Sequence, residues 1–221
     1  TNPPLIFLAM NDQAKVTRTS PYLSSDQAII EAAIEESKSS RPQPEAVVKA
    51  LVNLEKVGKK ATATPSYEKL LGTWQLCFIT GTKKTRQRAG IMLGAGRYLP
   101  SWIKIHLSYQ RNSDLSLSDA EAGYVENSVS IAGLTFSLSG PTKFFPKQKL
   151  LAFDFMSLKL QIGGKVIYSG NIRGGQDSFD QFYQEPIKKQ AFFRYFVIED
   201  SYIAARGRGG GLAIWQAAIS D

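Results

Sequence analysis

The sequence predicts a mainly β fold: an antiparallel β-barrel or half-barrel with an N-terminal helical hairpin packed on it. Three observations support this prediction. Two amphipathic helical segments lie within residues 23–62, apolar residues alternate with a period of two from Leu70 onward, and no helical pattern interrupts the short strands that follow. Regularly spaced antiparallel strands curl readily into a barrel, which removes exposed sheet edges.

The size and composition are those of an ordinary globular chain. Its 221 residues are 43% apolar and 21% charged, which predicts one structural domain. Within it we expect a flexible tail at 1–22, the helical hairpin at 23–62 and the barrel at 68–221. The apolar run Pro3–Met10 is far shorter than the ~18–20 residues that span a bilayer. The composition of the first 25 residues fits the remnant of an organellar import sequence, and it also fits a disordered tail without a targeting signal.

Each predicted helix has a start signal and one apolar stripe. Ser24, with Gln27 three residues later, predicts an N-cap, and Pro44 predicts the first turn of the second helix, which Gly58 should end. The stripes contain Ile29, Ile30, Ala33 and Ile34 in the first helix and Val47, Val48, Leu51, Val52, Leu54 and Val57 in the second. Because both stripes need a cover, we expect the hairpin to lie against the sheet.

Ten segments have the alternation of strands. They are residues 70–80, 101–110, 122–131, 133–140, 149–156, 158–162, 165–172, 191–198, 201–206 and 211–219. The pair Gly163-Gly164 between two of them predicts a two-residue hairpin turn.

The stretch "AARGRGGGLAIW", Ala204–Trp215, has three possible interpretations: a phosphate-binding loop, an RGG-type nucleic-acid tail, or a turn within the sheet. A Walker loop needs a Lys and a following helix, and neither is present. An RGG tail is a long array, whereas this run is brief and has apolar flanks. We therefore interpret Arg206–Gly211 as a glycine turn that joins the last two strands.

This ending resembles the C-terminal signature of the plastid-lipid-associated proteins, the fibrillins of plants and cyanobacteria. Arg206-Gly207 is similar to the Arg-Gly of that family, Gly210 to its second glycine, and Leu212 with Ile214 to its last strand. "LLGTWQLCFIT" looks like the opening strand of the family, and "VNLEK" lies where its second helix often carries Leu-Glu. The resemblance covers residues from about 25 to 220.

The sequence departs from the family pattern at three places. Ile203 stands where the family usually has arginine, and Phe78 stands where it usually has tyrosine. Residues 81–100 look longer and more basic than is typical.

The resemblance implies a lipocalin-like barrel, in which a tryptophan closes one end and an arginine stacks across it. The residues that we expect at this closure are Gly72, Trp74, Arg206, Gly207 and Gly210. The open end of such a barrel can hold one apolar ligand. We expect the inward positions of two strands to line an apolar void for a lipid: Leu134, Phe136, Leu138, Leu158, Leu160 and Ile162.

The segment Gly81–Trp102 combines five cations with apolar residues and contains no acid. This composition is typical of an interfacial anchor, since cations attract anionic headgroups while apolar groups insert shallowly. It is equally typical of a covered loop with solvated charges, and a protein-docking surface is a third interpretation. The residues of this candidate membrane or partner surface are Lys83, Lys84, Arg86, Arg88, Ile91, Met92, Leu93, Arg97, Tyr98 and Trp102.

The sequence does not favour catalysis, and it predicts no cofactor and no metal site. It has one cysteine, Cys77, in an apolar run, and one histidine, His106, on the polar face of a strand. The carboxylates of the β region have no spacing that pairs an acid with a base, and we interpret "GGQDSFDQFYQEP" as a loop with unliganded surface acids.

Two functions remain open. The resemblance implies a non-enzymatic plastid protein of the thylakoid or plastoglobule, which binds an apolar lipid (a prenyl-quinone, carotenoid or acyl lipid) or an anionic membrane surface. The alternative is a structural subunit or assembly factor that docks on a photosynthetic or prenyl-lipid biosynthetic complex through its basic loop. Nucleic-acid binding has only the formal charge of +8 in its favour.

Overall fold

A computed structural model describes residues 24–35, 40–81, 96–172, 174 and 176–218. The helices are α1 (Ser25–Ile34), α2 (Pro44–Lys60) and α3 (Gln176–Gln184). The strands are β1 (Gly72–Thr80), β2 (Gly96–Tyr98), β3 (Ile103–Ser116), β4 (Glu121–Ile131), β5 (Leu134–Phe145), β6 (Leu150–Phe153), β7 (Ser157–Ile162), β8 (Lys165–Asn171), β9 (Ala191–Ile198), β10 (Tyr202–Gly207) and β11 (Leu212–Ala217). Short 3₁₀ helices occupy Tyr67–Leu70, Pro146–Gln148 and Ile187–Lys189.

Eight strands form a closed antiparallel barrel. Around the ring the order is β1, β3, β4, β5, β6, β9, β10 and β11, and β11 pairs with β1 to close it. Each ring strand therefore lies beside the next ring strand in the chain, which is an up-and-down arrangement. The fold class expected from the sequence, a mainly β barrel of lipocalin-like type with N-terminal helices, is confirmed.

The hairpin β7–β8 lies outside the ring and enlarges one side of the sheet. β7 pairs with the first half of β5, from Leu134 to Ser139, whereas β6 pairs with its second half, from Thr142 to Phe145. The sheet thus divides beside β5. On one branch β6 pairs with β9 and continues the barrel, and on the other branch β7 pairs with β8 outside it. We call β7, β8 and residues 127–139 of β4 and β5 the extension.

The division occurs where the backbone crowds. A Cβ atom at Gly140 would lie 2.2 Å from the carbonyl oxygen of Asp154, in the link between β6 and β7. Only glycine permits this approach. The N–H of Met156 donates to the carbonyl of Ser139, so β5 keeps a partner through the bend.

The helical hairpin covers one outer wall of the barrel, as the stripes predict. Ile30 and Ala33 of α1 and Val47, Ala50 and Leu51 of α2 are buried. They pack against the outward side chains of β1, β10 and β11, which are Phe78, Tyr202, Ala204, Leu212 and Ile214. Ser24 and Gln27 form the predicted capping box, and Pro44 begins α2.

Three local predictions are wrong. Helix α2 continues past Gly58 to Lys60, and this glycine is needed because a Cβ atom would lie 2.7 Å from the carbonyl oxygen of Phe196. Val57, expected in the apolar stripe, is 65% exposed. The segment 174–186, expected to be a loop, contains α3. Its Phe179, Phe182 and Tyr183 have the i, i+3, i+4 spacing of an apolar helix face and pack with Leu150 and Ala152 of β6.

Both short turns of the extension have residues in the left-handed region. Gly163 and Gly164 have φ values of 54° and 79°, which confirms the predicted hairpin turn. Between β4 and β5, Ala132 and Gly133 adopt similar values of 49° and 81°. These turns bring Ile131, Leu134 and Ile162 side by side at the tip of the extension.

Candidate binding surface

The barrel interior is filled by its own side chains. Fifteen buried residues form this core, and five of them are tyrosine or tryptophan: Tyr67, Tyr109, Tyr195, Trp74 and Trp215. Tyr67 stacks on Phe144 with ring centroids 5.3 Å apart. Aromatic side chains of this volume occupy the space in which a ligand of the barrel would lie.

Hydrogen bonds satisfy the polar atoms of this core. The hydroxyls of Tyr109 and Tyr195 lie 2.7 Å apart, and the hydroxyl of Tyr67 lies 3.1 Å from that of Thr142. Burial raises the pKa of the Tyr67, Tyr109 and Tyr195 phenols, so all three stay neutral. The interior is thus a packed, uncharged core.

The six predicted lipid-binding residues lie together on one face of the extension. Cross-strand pairing places Leu134 beside Ile162, Phe136 beside Leu160, and Leu138 beside Leu158. Since paired residues point to the same side of a sheet, all six share a face. We call this surface the open face.

The open face continues the inner surface of the barrel. Along β4, Val129 pairs with Phe136, and along β3, Ile105 pairs with Val129. Two residues further along β3, on the same side, Leu107 is buried in the barrel core. On β3 the apolar lining of the barrel therefore continues onto the extension, whereas on β4 the polar Asn127, which pairs with both Leu107 and Leu138, lies between Val125 and Val129.

The open face does not line an enclosed void, contrary to the prediction. Leu134 is 44% exposed, Phe136 39% and Ile162 55%, and Leu138, Leu158 and Leu160 are half-buried. None of the six belongs to a buried core cluster of the described residues. The reason is topological: β7 and β8 branch from β5 outside the closed ring, so the ring does not enclose this face.

The reverse side of the extension is polar on β4, β5 and β7, whereas on β8 the exposed Val166, which pairs with Gln161, also lies on this side. It carries Ser128, Ser130, Thr135, Ser137, Lys159 and Gln161, whose register alternates with that of the open face. The hydroxyls of Ser130 and Thr135 lie 2.9 Å apart, and Lys159 forms an ion pair with Glu126 at 3.9 Å. The extension is therefore an amphipathic sheet whose polar side faces outward and whose apolar side has no cover in the described residues.

Exposed apolar residues and cations gather at the tip of the extension. Trp102, at the corner before β3, is 65% exposed, and Ile131, which pairs with Ile103 of that strand, is 40% exposed. Lys104 and Lys165 are exposed nearby on β3 and β8. This combination of an aromatic ring, aliphatic side chains and lysines is typical of surfaces that contact lipid headgroups.

Most of the predicted basic surface lies outside the described residues: Lys83, Lys84, Arg86, Arg88, Ile91, Met92 and Leu93. Arg97 and Trp102 are exposed, as a contact surface requires. Tyr98 is different, because its hydroxyl donates to the carbonyl of Pro42 at 2.8 Å and its ring packs against Phe78. Tyr98 fastens β2 to the helical hairpin and is not a free contact residue.

The predicted contact between Trp74 and Arg206 is absent. Trp74 pairs with Ala217 of β11, whereas Arg206 pairs with Leu212, five residues away and about 17 Å along that strand. The two side chains also lie on opposite sides of the sheet: Trp74 is buried in the barrel, and its indole N–H donates to the carbonyl of Leu70 at 2.8 Å. In place of Arg206, Tyr67 and Leu70 of the 3₁₀ helix share the barrel core with Trp74.

Arg206 faces outward and binds helix α2. Its Nε donates to Oε1 of Glu55 at 2.8 Å, its Nη2 to Oε2 at 2.5 Å, and its Nη1 to the carbonyl of Gly210 at 2.6 Å. These bonds with Arg206 hold the pKa of the buried Glu55 carboxyl below its usual value, although burial opposes the shift. Two of the three short stretches that carry the family resemblance, "VNLEK" and "ARGRGGG", thus meet in space.

The rest of the glycine turn is structural as well. Gly210 has a φ of 87°, and its N–H donates to the carbonyl of Gly207 at 2.8 Å. Arg208 donates to the carbonyls of Gln190 and Lys188 at 2.7 and 2.6 Å. At the other expected closure position, Gly72 has a φ of 111° at the start of β1. Arg206 and Arg208, the two arginines of the stretch Ala204–Trp215, therefore both make hydrogen bonds within the fold.

Two structural residues were missed from the sequence. Glu55 lies four residues after Leu51 on the buried stripe of α2, and an acid at such a position predicts a cationic partner. Lys143 is buried and donates to the carbonyls of Phe182 and Glu185 at 2.8 and 2.9 Å, at the end of α3. These hydrogen bonds fasten α3 to β5. Burial lowers the pKa of the Lys143 ammonium.

The described residues give little support for metal binding or for a reactive thiol or imidazole. They contain no group of three His, Cys, Asp or Glu that could hold a metal ion, and no helix among them is long and apolar enough to cross a membrane. Burial raises the pKa of the half-buried Cys77 thiol to about 11, so it is protonated at neutral pH. Burial lowers the pKa of His106, so this imidazole is uncharged at neutral pH.

A cleft of about 430 Å³ lies between the end of α2, strand β9 and the turn at Lys147–Lys149 that precedes β6. Its lining includes Lys59, Lys147, Lys149 and Arg194. The ammonium of Lys149 donates to the carbonyls of Gly58 and Ala61 at the end of α2, and that of Lys59 pairs with Glu55. Because two of its cations have partners within the fold, this cleft is a weaker binding candidate than the open face.

No protein-family model matches this chain, and no curated protein matches it. The resemblance to the plastid-lipid-associated proteins therefore stays a prediction from the sequence.

Proposed function

We propose that this protein is a non-enzymatic lipid-associated protein that holds an apolar lipid, or the surface of a membrane, against the open face. One observation carries the proposal: six apolar residues form a continuous surface without a cover in the described chain, while the barrel interior is filled. In this proposal the ligand lies beside the barrel rather than within it.

The energetics favour such a contact. Burial of apolar surface is worth roughly 25 cal/mol per Å², and Leu134, Phe136 and Ile162 are each more than a third exposed. Cations near an anionic leaflet contribute ~1 kcal/mol each. Lys104, Lys165 and Arg97 are exposed, and four further cations between Gly81 and Gly96 are Lys83, Lys84, Arg86 and Arg88.

A plastid location, on the thylakoid or on plastoglobules, is part of this proposal and rests on the sequence resemblance alone. The chemistry of the open face suits prenyl, carotenoid and acyl chains alike, since all three are aliphatic.

Vesicle flotation tests the proposal with one variant on each side of the extension. In Leu134→Gln/Ile162→Gln the open face is interrupted, and in the control Thr135→Gln only the reverse side changes. We expect the double variant to bind both neutral and acidic vesicles about tenfold or more weakly, and the control to bind as the wild type does. Equal binding by the double variant and the wild type would contradict the proposal.

The basic segment is tested separately. Changing Lys83, Lys84, Arg86 and Arg88 together to Gln should weaken binding to acidic vesicles and leave neutral vesicles unaffected, because only the electrostatic part is lost. Salt should then have little effect on the residual binding.

The second candidate function is docking on a protein complex, and the filled interior favours it, since a scaffold needs no cavity. In that case the wild type would not bind either kind of vesicle. Co-purification with a complex from the source organism would be lost in the quadruple Gln variant.

A further inference from the structure

The cleft beside the end of α2 carries more positive charge than its own acid can neutralise. Its lining has one carboxylate, that of Glu55, and four cations: Lys59, Lys147, Lys149 and Arg194. Arg206 already donates to both oxygens of that carboxylate, and the Lys59 ammonium lies 3.2 Å from one of them. One negative charge is therefore shared by two cations before Lys147 and Arg194 are counted.

Arg194 lies directly opposite another arginine. Cross-strand pairing sets it against Arg206 of β10, and both side chains lie on the outer side of the barrel, because the next pair, Tyr195 and Ala205, is buried in the core. Like charges at such opposed positions repel each other. Arg206 has Glu55 as its counter-ion, whereas the exposed Arg194 forms no ion pair with a described residue. The Arg194 guanidinium is thus available to an anion from outside the described chain.

The end of α2 would ordinarily oppose an anion, since the carbonyls of a helix C-terminus carry partial negative charge. Here the Lys149 ammonium donates to the carbonyls of Gly58 and Ala61 at 3.0 and 3.1 Å and so offsets that charge. Lys147, two residues earlier in the same turn, is exposed and has no ion pair with a described residue. The cleft therefore has two cations, on β9 and in this turn, without a counter-ion in the described chain.

We propose that this cleft binds the phosphate group of a small phosphate monoester, held by the Arg194 guanidinium and the Lys147 ammonium. A phosphate monoester carries about two negative charges at neutral pH, which matches two cations without a counter-ion. The planar fork of a guanidinium fits two phosphate oxygens. A volume of about 430 Å³ is that of a small-molecule site and leaves room for the organic part of the ester beside Gln148 and Phe196.

The cleft and the open face lie at opposite ends of the sheet. Arg194 pairs with Leu150 of β6, which pairs with Phe145 at the end of β5, whereas the open face begins at Leu134 at the start of β5. These two ends are about 36 Å apart along β5. The cleft is also on the outer side of the barrel, and the open face continues the inner side. A small ester in the cleft cannot touch the open face, so this inference does not rest on the proposed function.

Isothermal titration calorimetry with glycerol 3-phosphate tests the site, and glycerol is the uncharged control ligand. We expect the wild type to bind one glycerol 3-phosphate per chain and no glycerol. Lys147→Gln/Arg194→Gln should weaken this binding at least tenfold, because both phosphate contacts are lost. The matched control Arg97→Gln/Lys165→Gln removes the same two kinds of charge from exposed positions outside the cleft and should bind as the wild type does.

Thermal unfolding separates ligand binding from a structural role of Arg194. In low-salt buffer without phosphate, Arg194→Gln should have the Tm of the wild type or a higher one, since repulsion from Arg206 is removed. Glycerol 3-phosphate should raise the Tm of the wild type and of the control variant, and it should not raise that of Lys147→Gln/Arg194→Gln. A lower Tm of Arg194→Gln without phosphate would overturn the proposal, because the fold itself would then need this charge.

Vesicles of phosphatidic acid distinguish a soluble ester from a lipid headgroup with the same phosphate chemistry. For a soluble ester, Lys147→Gln/Arg194→Gln should float with these vesicles as well as the control variant does. If only flotation is lost and the wild type does not bind glycerol 3-phosphate, the cleft binds the phosphate of a headgroup.

The proposal is overturned if the wild type does not bind glycerol 3-phosphate and the cleft variant floats like its control. Equal binding of glycerol 3-phosphate by the cleft variant and the wild type would overturn it as well. Unchanged vesicle binding by Leu134→Gln/Ile162→Gln would contradict the proposed function alone, since those residues lie outside the cleft.

Discussion

Strands β4 and β5 pass through two environments, the barrel and the extension, and keep the same alternation in both. In the barrel, Val125 and Phe144 point toward an opposite wall that buries them. In the extension, Ile131 and Leu134 occupy the equivalent side and remain exposed, where β5 pairs with β7 outside the closed ring. An apolar stripe thus shows which side of a strand seeks cover, and only the course of the other strands decides whether it receives any.

The two regions should also differ in how much their apolar side chains contribute to stability. The barrel side chains lose their whole contact with water on folding, whereas those of the extension lose only part of it. Substitutions of matched chemistry in the two regions therefore measure the difference directly.

The largest effect is expected in the barrel. Trp74→Ala should lower the free energy of unfolding by ~3–5 kcal/mol, because it removes a buried aromatic ring and the bond from its indole N–H to Leu70. Urea unfolding followed by fluorescence measures it. A loss below about 1 kcal/mol would show that Trp74 does not belong to the core.

An intermediate effect is expected where helix α2 covers the barrel wall. Glu55→Gln should cost about 2 kcal/mol at neutral pH, since the buried end of the bond with Arg206 loses its charge. The folded-state pKa of Glu55 is lowered, so its contribution is fully present above the ordinary value of 4.5 and is lost as the pH falls through the folded-state pKa.

Urea unfolding of the wild type and of Glu55→Gln at a series of pH values checks this expectation. The difference between the two proteins should be constant from neutral pH down to about pH 5.5 and should shrink below pH 4.5. A difference that grows toward acid would contradict the assignment of the ion pair.

The smallest effect is expected in the extension. Leu134→Gln/Ile162→Gln should change the free energy of unfolding by no more than about 0.5 kcal/mol per site, because both side chains are largely exposed before the change. The same urea experiment applies. A loss comparable to that of Trp74→Ala would mean that the open face is covered within the molecule, and the contrast between the two regions would disappear.

Much of the fold could be predicted because its signals are local. The capping box of Ser24 and Gln27, the proline at the start of α2 and the Gly163-Gly164 turn each depend on a few neighbouring residues. The period-two alternation placed the six residues of the open face on one side of their strands. For α3, the spacing of Phe179, Phe182 and Tyr183 is an equally local signal of a helix.

The candidate site was predictable only in part, for a physical reason that concerns distance along the chain. Glu55 and Arg206 are 151 residues apart in the sequence and meet because α2 packs on the outer wall of the barrel. The expected pairing of Arg206 with Trp74 is wrong because strand register set the two at opposite ends and on opposite sides of the sheet. Neither outcome can be read from local periodicity.

By itself, the sequence determined the antiparallel strands, their apolar sides, the helical hairpin and the turns, because these follow from backbone preference and side-chain alternation. The tertiary structure alone decided which apolar side is buried. Closure of β11 onto β1 encloses one part of the inner surface, and the departure of β7–β8 from the ring leaves the other part open. Whether an apolar side chain is core or contact surface depends on what lies opposite it, and that is a property of the assembled sheet.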